Sequence, residues 1–256
     1  MRKVLKNKPL IEAILEIHWH LKGQMGDFRV DPHYTILLAR LYDRFSDDYP
    51  HHEQLPTANI PVEIIGRAVQ QRFRVAENSW PLVQLGPGVA TLNDTVGYDW
   101  EKNFRERAIS ITERLFDAYP QPKDLSIEKL ILRYIDGVEF DFEHQNIFEF
   151  LRDMMKIKVE IHEDLFLSTG VASQPLLLDL NFAFPSHNPE GVLQLRFTRG
   201  ERENKSALIW ETVFSTQGPS TPQSPEQIIA WADQAHQLTS DWFFKIIDGE
   251  LLAKFA

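Results

Sequence analysis

Among its 256 residues the chain has no cysteine. Disulfides and thiolate metal sites are thereby excluded, and the composition suits a reducing compartment. No apolar run approaches the ~20 residues that a transmembrane helix needs. The start Met1-Arg2-Lys3-Val4-Leu5-Lys6-Asn7-Lys8 is basic, but no signal core or small-residue cleavage site follows, because Glu12 and Glu16 interrupt the apolar stretch. These absences predict a cytoplasmic protein without membrane contact. Positive charge is also short: 27 Lys and Arg face 37 Asp and Glu, for a net charge of −10. Such a chain repels a phosphate backbone, which disfavours nucleic acid, and suits a basic protein partner. Arg196, Arg199, Arg202 and Lys205 form one local basic cluster, read as a charged hairpin tip.

A complete catalytic constellation is missing as well. Gly86-Pro87-Gly88 lacks the Gly-Lys-Ser/Thr ending of a phosphate loop and reads as a strand bend. His236 precedes Ser240 by one helical turn, but no acid or nucleophile elbow accompanies the pair, so His236 reads as a helix-face histidine. Asp136, Glu139, Asp141 and Glu143 make an acidic run, yet no Asp/Glu-x-Lys partner follows, and the run reads as a solvated strand end. Tyr98 and Trp100 at a helix start could stack a base, although Trp100 reads better as a core anchor. No cofactor is expected, and the reading leans away from an enzyme.

What is present is a large apolar inventory, with 17 Phe and 6 Trp, arranged at two recognisable periods. Leu125 to Phe142 alternates: Leu130, Leu132, Tyr134, Asp136 and Val138 fall on one face, and Lys129, Ile131, Arg133, Ile135 and Gly137 on the other. Period two with β-branched and aromatic enrichment predicts a long central strand, with Gly137 as its bend. Leu10 to Leu21 resembles it, and Ile11-Glu12-Ala13-Ile14-Leu15 aligns with Ile127-Glu128-Lys129-Leu130-Ile131. Apolar stripes at helical spacing predict helices after Asp31-Pro32, over 99–118, from Asn146, and from Ser224 to about Asp248. His51 to Pro61 reads as loop, and Val62 to Val75 as containing a strand. Leu165 to Thr169, Leu176 to Phe184, Val192 to Thr198 and Ala207 to Ser215 read as strands. Thr216 to Pro225 reads as a mobile loop. The expected fold is α+β: two βαββ(β)α-like halves, 1–122 and 123–256, forming one compact unit around a curved, mainly antiparallel sheet packed by the long helices.

Two clusters suggest ligands. His18 and His20 share a strand face with Glu16, the beginning of a metal site without a fixed third ligand; the alternative is a polar strand face, and no metal is assigned. Arg133 lies beside Lys129 on the less apolar face of the central strand. A buried Arg needs a carboxylate, with Glu12 or Glu16 available, or an anionic ligand in a pocket of the sheet.

The stretches Leu5 to Ile17 (LKNKPLIEAILEI), Val83 to Pro87 (VQLGP), Tyr98 with Trp100 to Phe104 (YxWEKNF), Leu132 to Asp136 (LRYID), and His236 with Phe243 are similar to a sporadically distributed, uncharacterised prokaryotic family of about this length. The resemblance covers scattered motifs across nearly the whole chain. It implies an accessory gene, such as a defence or toxin–antitoxin cassette member, and supplies no catalytic residues. The leading expectation is therefore a non-enzymatic protein that binds another protein, as an accessory or neutralising subunit encoded in the same operon. The alternative is a small-molecule domain, binding or enzymatic, that holds an anionic ligand with Arg133, His18, His20, Glu16 and Lys129.

Overall fold

The computed structural model describes residues 5–61, 66–95 and 97–256. Eleven strands and five α-helices are formed there. They are β1 Leu10–Trp19, β2 Gly23–Met25, β3 Phe28–Val30, α1 Tyr34–Phe45, β4 His51–Gln54, β5 Gln71–Arg74, β6 Leu82–Gly86, β7 Val89–Asp94 and α2 Arg105–Ala118. The second half adds β8 Ile127–Glu139, α3 Ile147–Met155, β9 Asp179–His187, β10 Glu190–Arg202, β11 Lys205–Gln217, α4 Pro225–Ile247 and α5 Glu250–Phe255. Nine strands join one curved antiparallel sheet in the order β4-β5-β6-β7-β1-β8-β11-β10-β9, and β2 and β3 form a separate ribbon. Each half is a meander whose last strand returns to pair with its leading strand, β7 with β1 and β11 with β8. The α+β architecture expected from the hydrophobic periods is the one formed.

The seam of the molecule is the antiparallel pair β1–β8. Leu10 pairs with Asp136 and Glu12 with Ile135, leaving Ile11 as an extra residue; His18 pairs with Lys129 and Trp19 with Ile127, leaving Glu128 as another. Each leading strand thus carries a bulge at its second residue. Aligning the bulges sets Leu10 on Ile127, Ala13 on Leu130 and Leu15 on Leu132, all core residues. Leu15 and Leu132 also pair directly, so a pseudo-twofold axis passes through them. This corrects the Ile-Glu alignment made from sequence. That alignment is one residue off and sets core-facing Ala13 on Lys129, which the pleat points to the other side. The Glu128 bulge also returns Ile127 to the core face, against simple alternation.

Helices cover one face. α4 lies against β8 and β11, α2 against β7, and α2 and α4 pack on each other. Arg105 clamps Asp233 across the two helices with bonds of 2.7 and 2.8 Å. Two hydrophobic clusters result. The first gathers Trp19, Leu37, Phe45, Phe104, Leu115, Leu132 and Trp231; the second gathers Phe140, Leu151, Phe197, Trp210, Ile247 and Phe255. Full burial of each such side chain contributes about 1.5–3 kcal/mol. α4 crosses both clusters, and Trp242 touches each.

Several local expectations change. Asp31 does not cap α1, whose N-cap is His33. Its buried carboxylate instead accepts the Trp19 indole N–H at 2.7 Å, the Tyr119 hydroxyl at 3.1 Å and the His33 amide at 2.9 Å, because burial of two aromatic donors demands an acceptor. His51–Gln54 is an edge strand rather than loop. Residues 62–65 of the expected Val62 to Val75 segment lie outside the described residues. Pro87-Gly88 is a two-residue hairpin turn between β6 and β7, with Gly88 at φ 73°, not a bend. Gly23 and Gly26 belong to the β2–β3 hairpin. Leu165 to Thr169 is not a strand; Glu163–Leu165 is a helical turn. Gly137 sits within continuous β8, where a Cβ would come within 2.9 Å of the Ile11 and Ile209 Cδ1 atoms, the movable ends of two side chains. The β10–β11 tip is reduced to Glu203-Asn204, both at positive φ, and Arg199 and Arg202 stand in the ladder. The Thr216 to Pro225 loop is docked: Gln223 accepts the Ile127 N–H at 2.9 Å and donates to the Ile127 carbonyl at 2.8 Å.

Candidate functional site

β8 sends successive side chains to opposite faces, and this sorts the candidate residues. Arg133, Lys129, Glu16 and His18 come together on the face away from the helices. Arg133 Nη2 stands 3.6 Å from Glu16 and Nη1 3.7 Å from Glu211, while His18 bonds Glu16 at 2.9 Å. Burial pushes the Glu16 carboxyl up, but the His18 bond and the charges of Arg133, His18 and Lys129 outweigh it, and the group stays below its ordinary value. Arg133 remains 35% exposed, so these long contacts contribute at most about 1 kcal/mol. His20 lies beyond the end of β1 and meets a different carboxylate, Glu128, at 3.1 Å. The two histidines do not converge, and no cluster of three or more His, Asp or Glu fit to hold a metal occurs among the described residues. The arginines of the basic cluster are engaged too: Arg196 clamps Asp179, Arg199 covers the Phe142 ring, and Arg202 donates to the Gly137 carbonyl at 2.7 Å.

The neighbouring positions of the same strand, Tyr134 and Asp136, point to the helix side. There the two hydrophobic clusters leave a cavity of ≈ 300 Å³. Its floor is Tyr134 and Asp136 of β8, Leu10 of β1 and Thr212 of β11. Its roof is His236, Thr239, Ser240, Phe243 and Phe244 of α4. Leu5, Lys8 and the run Tyr98 to Lys102 close the sides. The backbone puts the polar members there by register: Leu10 pairs with Asp136, and Thr212 with Tyr134.

One wall is a bonded aromatic group. Tyr134 Oη lies 2.7 Å from Tyr98 Oη and 2.8 Å from His236 Nδ1. The His236 ring stacks on Trp100, with centroids 4.3 Å apart and an interplanar angle of 4°. Trp100 opens a π-helical turn, Trp100–Phe104, that leads directly into α2; Asp99 caps it by accepting the Lys102 amide at 3.1 Å. The wider turn carries Tyr98 and Trp100 over the cavity before the regular helix begins.

The floor is chemically unbalanced. Asp136 is 3% exposed. Burial pushes its carboxyl up to about 8, and the nearby charge of Arg202 offsets this only in part; no hydrogen bond from the described residues holds the group. Thr212 is fully buried, and its hydroxyl has no partner among the described residues. The lysines at the rim are occupied elsewhere: Lys8 donates to the Tyr98 carbonyl at 2.6 Å, and Lys102 stands 3.6 Å from Asp99. Buried polar groups are nearly always satisfied, and among the described residues this carboxyl and this hydroxyl have no hydrogen-bond partner. A carboxyl held near neutral pH can also give or take a proton.

Sequence reasoning did not find this site. Asp136 was read with the acidic run as solvated, whereas its place on the apolar stripe of β8 between Leu132 and Phe140 was the available signal. The core role of Trp100 is as expected. No family model matches the chain, and no curated protein matches it. No helix among the described residues is long and apolar enough to cross a membrane.

Proposed function

We propose that this protein binds a small organic molecule in the cavity between α4 and the β1–β8–β11 part of the sheet. The observation that carries the reading is the pair of buried polar groups, Asp136 and Thr212, that line a mainly apolar space and have no hydrogen-bond partner among the described residues. A volume near 300 Å³ is at the lower end for ligand sites, which fits a compact ligand. The ligand is held from the helix-facing side of β8, so Arg133, Lys129, Glu16 and His18 have no part in it. The anionic ligand expected from Arg133 gives way to one that complements a carboxyl. Native mass spectrometry or ligand-observed NMR against a fragment library tests the reading, with Ser240→Trp as the control that fills the cavity from α4. Fragments retained by the parent protein and lost in a folded Ser240→Trp variant support it. Equal retention by both overturns it.

A second reading, the protein-binding accessory or neutralising subunit, is favoured by a separate observation. The segment between α3 and β9 exposes Ile161, Leu165, Leu167, Val171, Leu176 and Leu177, the last two at 92% and 79%. Clustered exposure of this kind marks interaction surfaces. Co-elution with the product of an adjacent gene, abolished by Leu176→Glu with Leu177→Glu, tests it.

A further inference from the structure

We propose that the cavity ligand carries a protonated amine, its ammonium received by the Asp136 carboxylate and the Thr212 hydroxyl and its apolar part lying against Leu5, Phe243 and Phe244. The inference rests on the cavity reading above and adds the ligand's chemical class. Four observations bear on it.

Among the described residues the charged group on the floor is a carboxyl, and it takes no hydrogen bond from any of them. An ammonium has three donors and no acceptor, so it matches a carboxylate and a hydroxyl oxygen lining one cavity. The cations near the cavity do not fill this role, since Lys8 and Lys102 are bound to the Tyr98 carbonyl and to Asp99. Arg202 spends its donors on the carbonyls of Lys8, Pro9 and Gly137.

The walls suit a cation as well. Tyr98, Trp100, Tyr134, Phe243 and Phe244 line the space, and aromatic faces attract an ammonium within about 6 Å. Finally, the protein's net charge of −10 raises the local concentration of cations and opposes anions. A carboxylate ligand would have to place its charge beside Asp136, and among the described residues Lys8, Lys102 and Arg202 are engaged elsewhere.

The test compares matched sets built on one skeleton: phenethylamine, 2-phenylethanol and 3-phenylpropionate, with the cyclohexylmethyl and n-butyl series beside them. Binding is followed by calorimetry on the full chain. The amine of at least one series binds about tenfold or more tighter than its alcohol and its acid. Asp136→Asn lowers that affinity about thirtyfold or more, as loss of one partner in a buried charge pair does. Thr212→Val, which keeps the carboxyl and the shape, lowers it by about tenfold or less, and it serves alone should Asp136→Asn fail to fold. If alcohols or acids bind as tightly as amines and Ser240→Trp abolishes them, the cavity reading stands and the amine inference falls. If no member of any series binds in a way that Ser240→Trp removes, both fall.

Discussion

Placing a carboxyl on the apolar stripe of β8, between Tyr134 and Val138, costs folding free energy whenever that group is ionised. Its folded value of about 8 lies above the ~3.9 of an unfolded Asp, so the native state holds the proton more tightly. The stability it contributes is complete below the unfolded value and is lost as pH rises through about 8. Asp136→Asn should therefore flatten the pH dependence: urea midpoints of the parent fall from pH 5 to pH 8, while those of the variant fall less. Identical slopes would contradict the buried, unpaired carboxyl. The residue scale also shows what a sequence can reveal. Arg133 between Ile131 and Ile135 is legible as an arginine in need of a carboxylate or an anionic ligand, with Glu12 and Glu16 as candidates, and the structure sets Glu16 and Glu211 beside it. The stripe of β8 points Asp136 inward, but the cavity around it is not legible, since it depends on α4 and on the turn at Trp100, which approach from distant parts of the chain.

At the scale of elements, short connections are the parts most closely tied to side-chain chemistry. Gln223 has its amide across Ile127, supplying both the donor and the acceptor that a neighbouring strand would offer at the start of β8. Gln223→Ala leaves that N–H and C=O without their partner and should cost about 1–2 kcal/mol, seen as a lower urea midpoint at unchanged slope. Gln223→Glu keeps the acceptor and loses the donor, and should fall between the two. Helices were legible from their stripes and caps: Ser224 accepts the Gln227 amide at 3.3 Å, and Asn146 those of Phe148 and Glu149 at 2.9 and 3.3 Å. The Pro- and Ser-rich composition of 216–225 suggested mobility, because composition reports the lack of a repeating pattern and not a single side-chain clasp. The edge strand β4, His51–Gln54, was missed for a related reason. Its four residues are polar, and pairing with β5 alone makes them a strand.

The whole molecule depends on the β1–β8 seam. β1 lends Leu15 and Ile17, and β8 lends Leu130 and Leu132, to one shared cluster, so the first half does not close its core alone, whereas the second cluster draws only Leu5 from that half. Residues 1–122 produced as a separate chain should lack a cooperative unfolding transition and regain one on mixing with 123–256. Far-UV circular dichroism and urea titration of the single and mixed chains check this. The two-half organisation was visible from composition and order, yet the repeat that suggested it was out of step by one residue. A bulge leaves little imprint on a run of Ile and Glu, and only the ladder shows which residue is extra.

The dyad through Leu15 and Leu132 has a consequence for mating between the lobes. It makes Glu12 the counterpart of Lys129 and Glu16 the counterpart of Arg133, so one lobe offers acids where the other offers bases. Two copies of the first lobe docked in this manner would set acid against acid, and two copies of the second base against base. Only the mixed assembly is matched in sign, which favours pairing of each lobe with the other over pairing with a copy of itself.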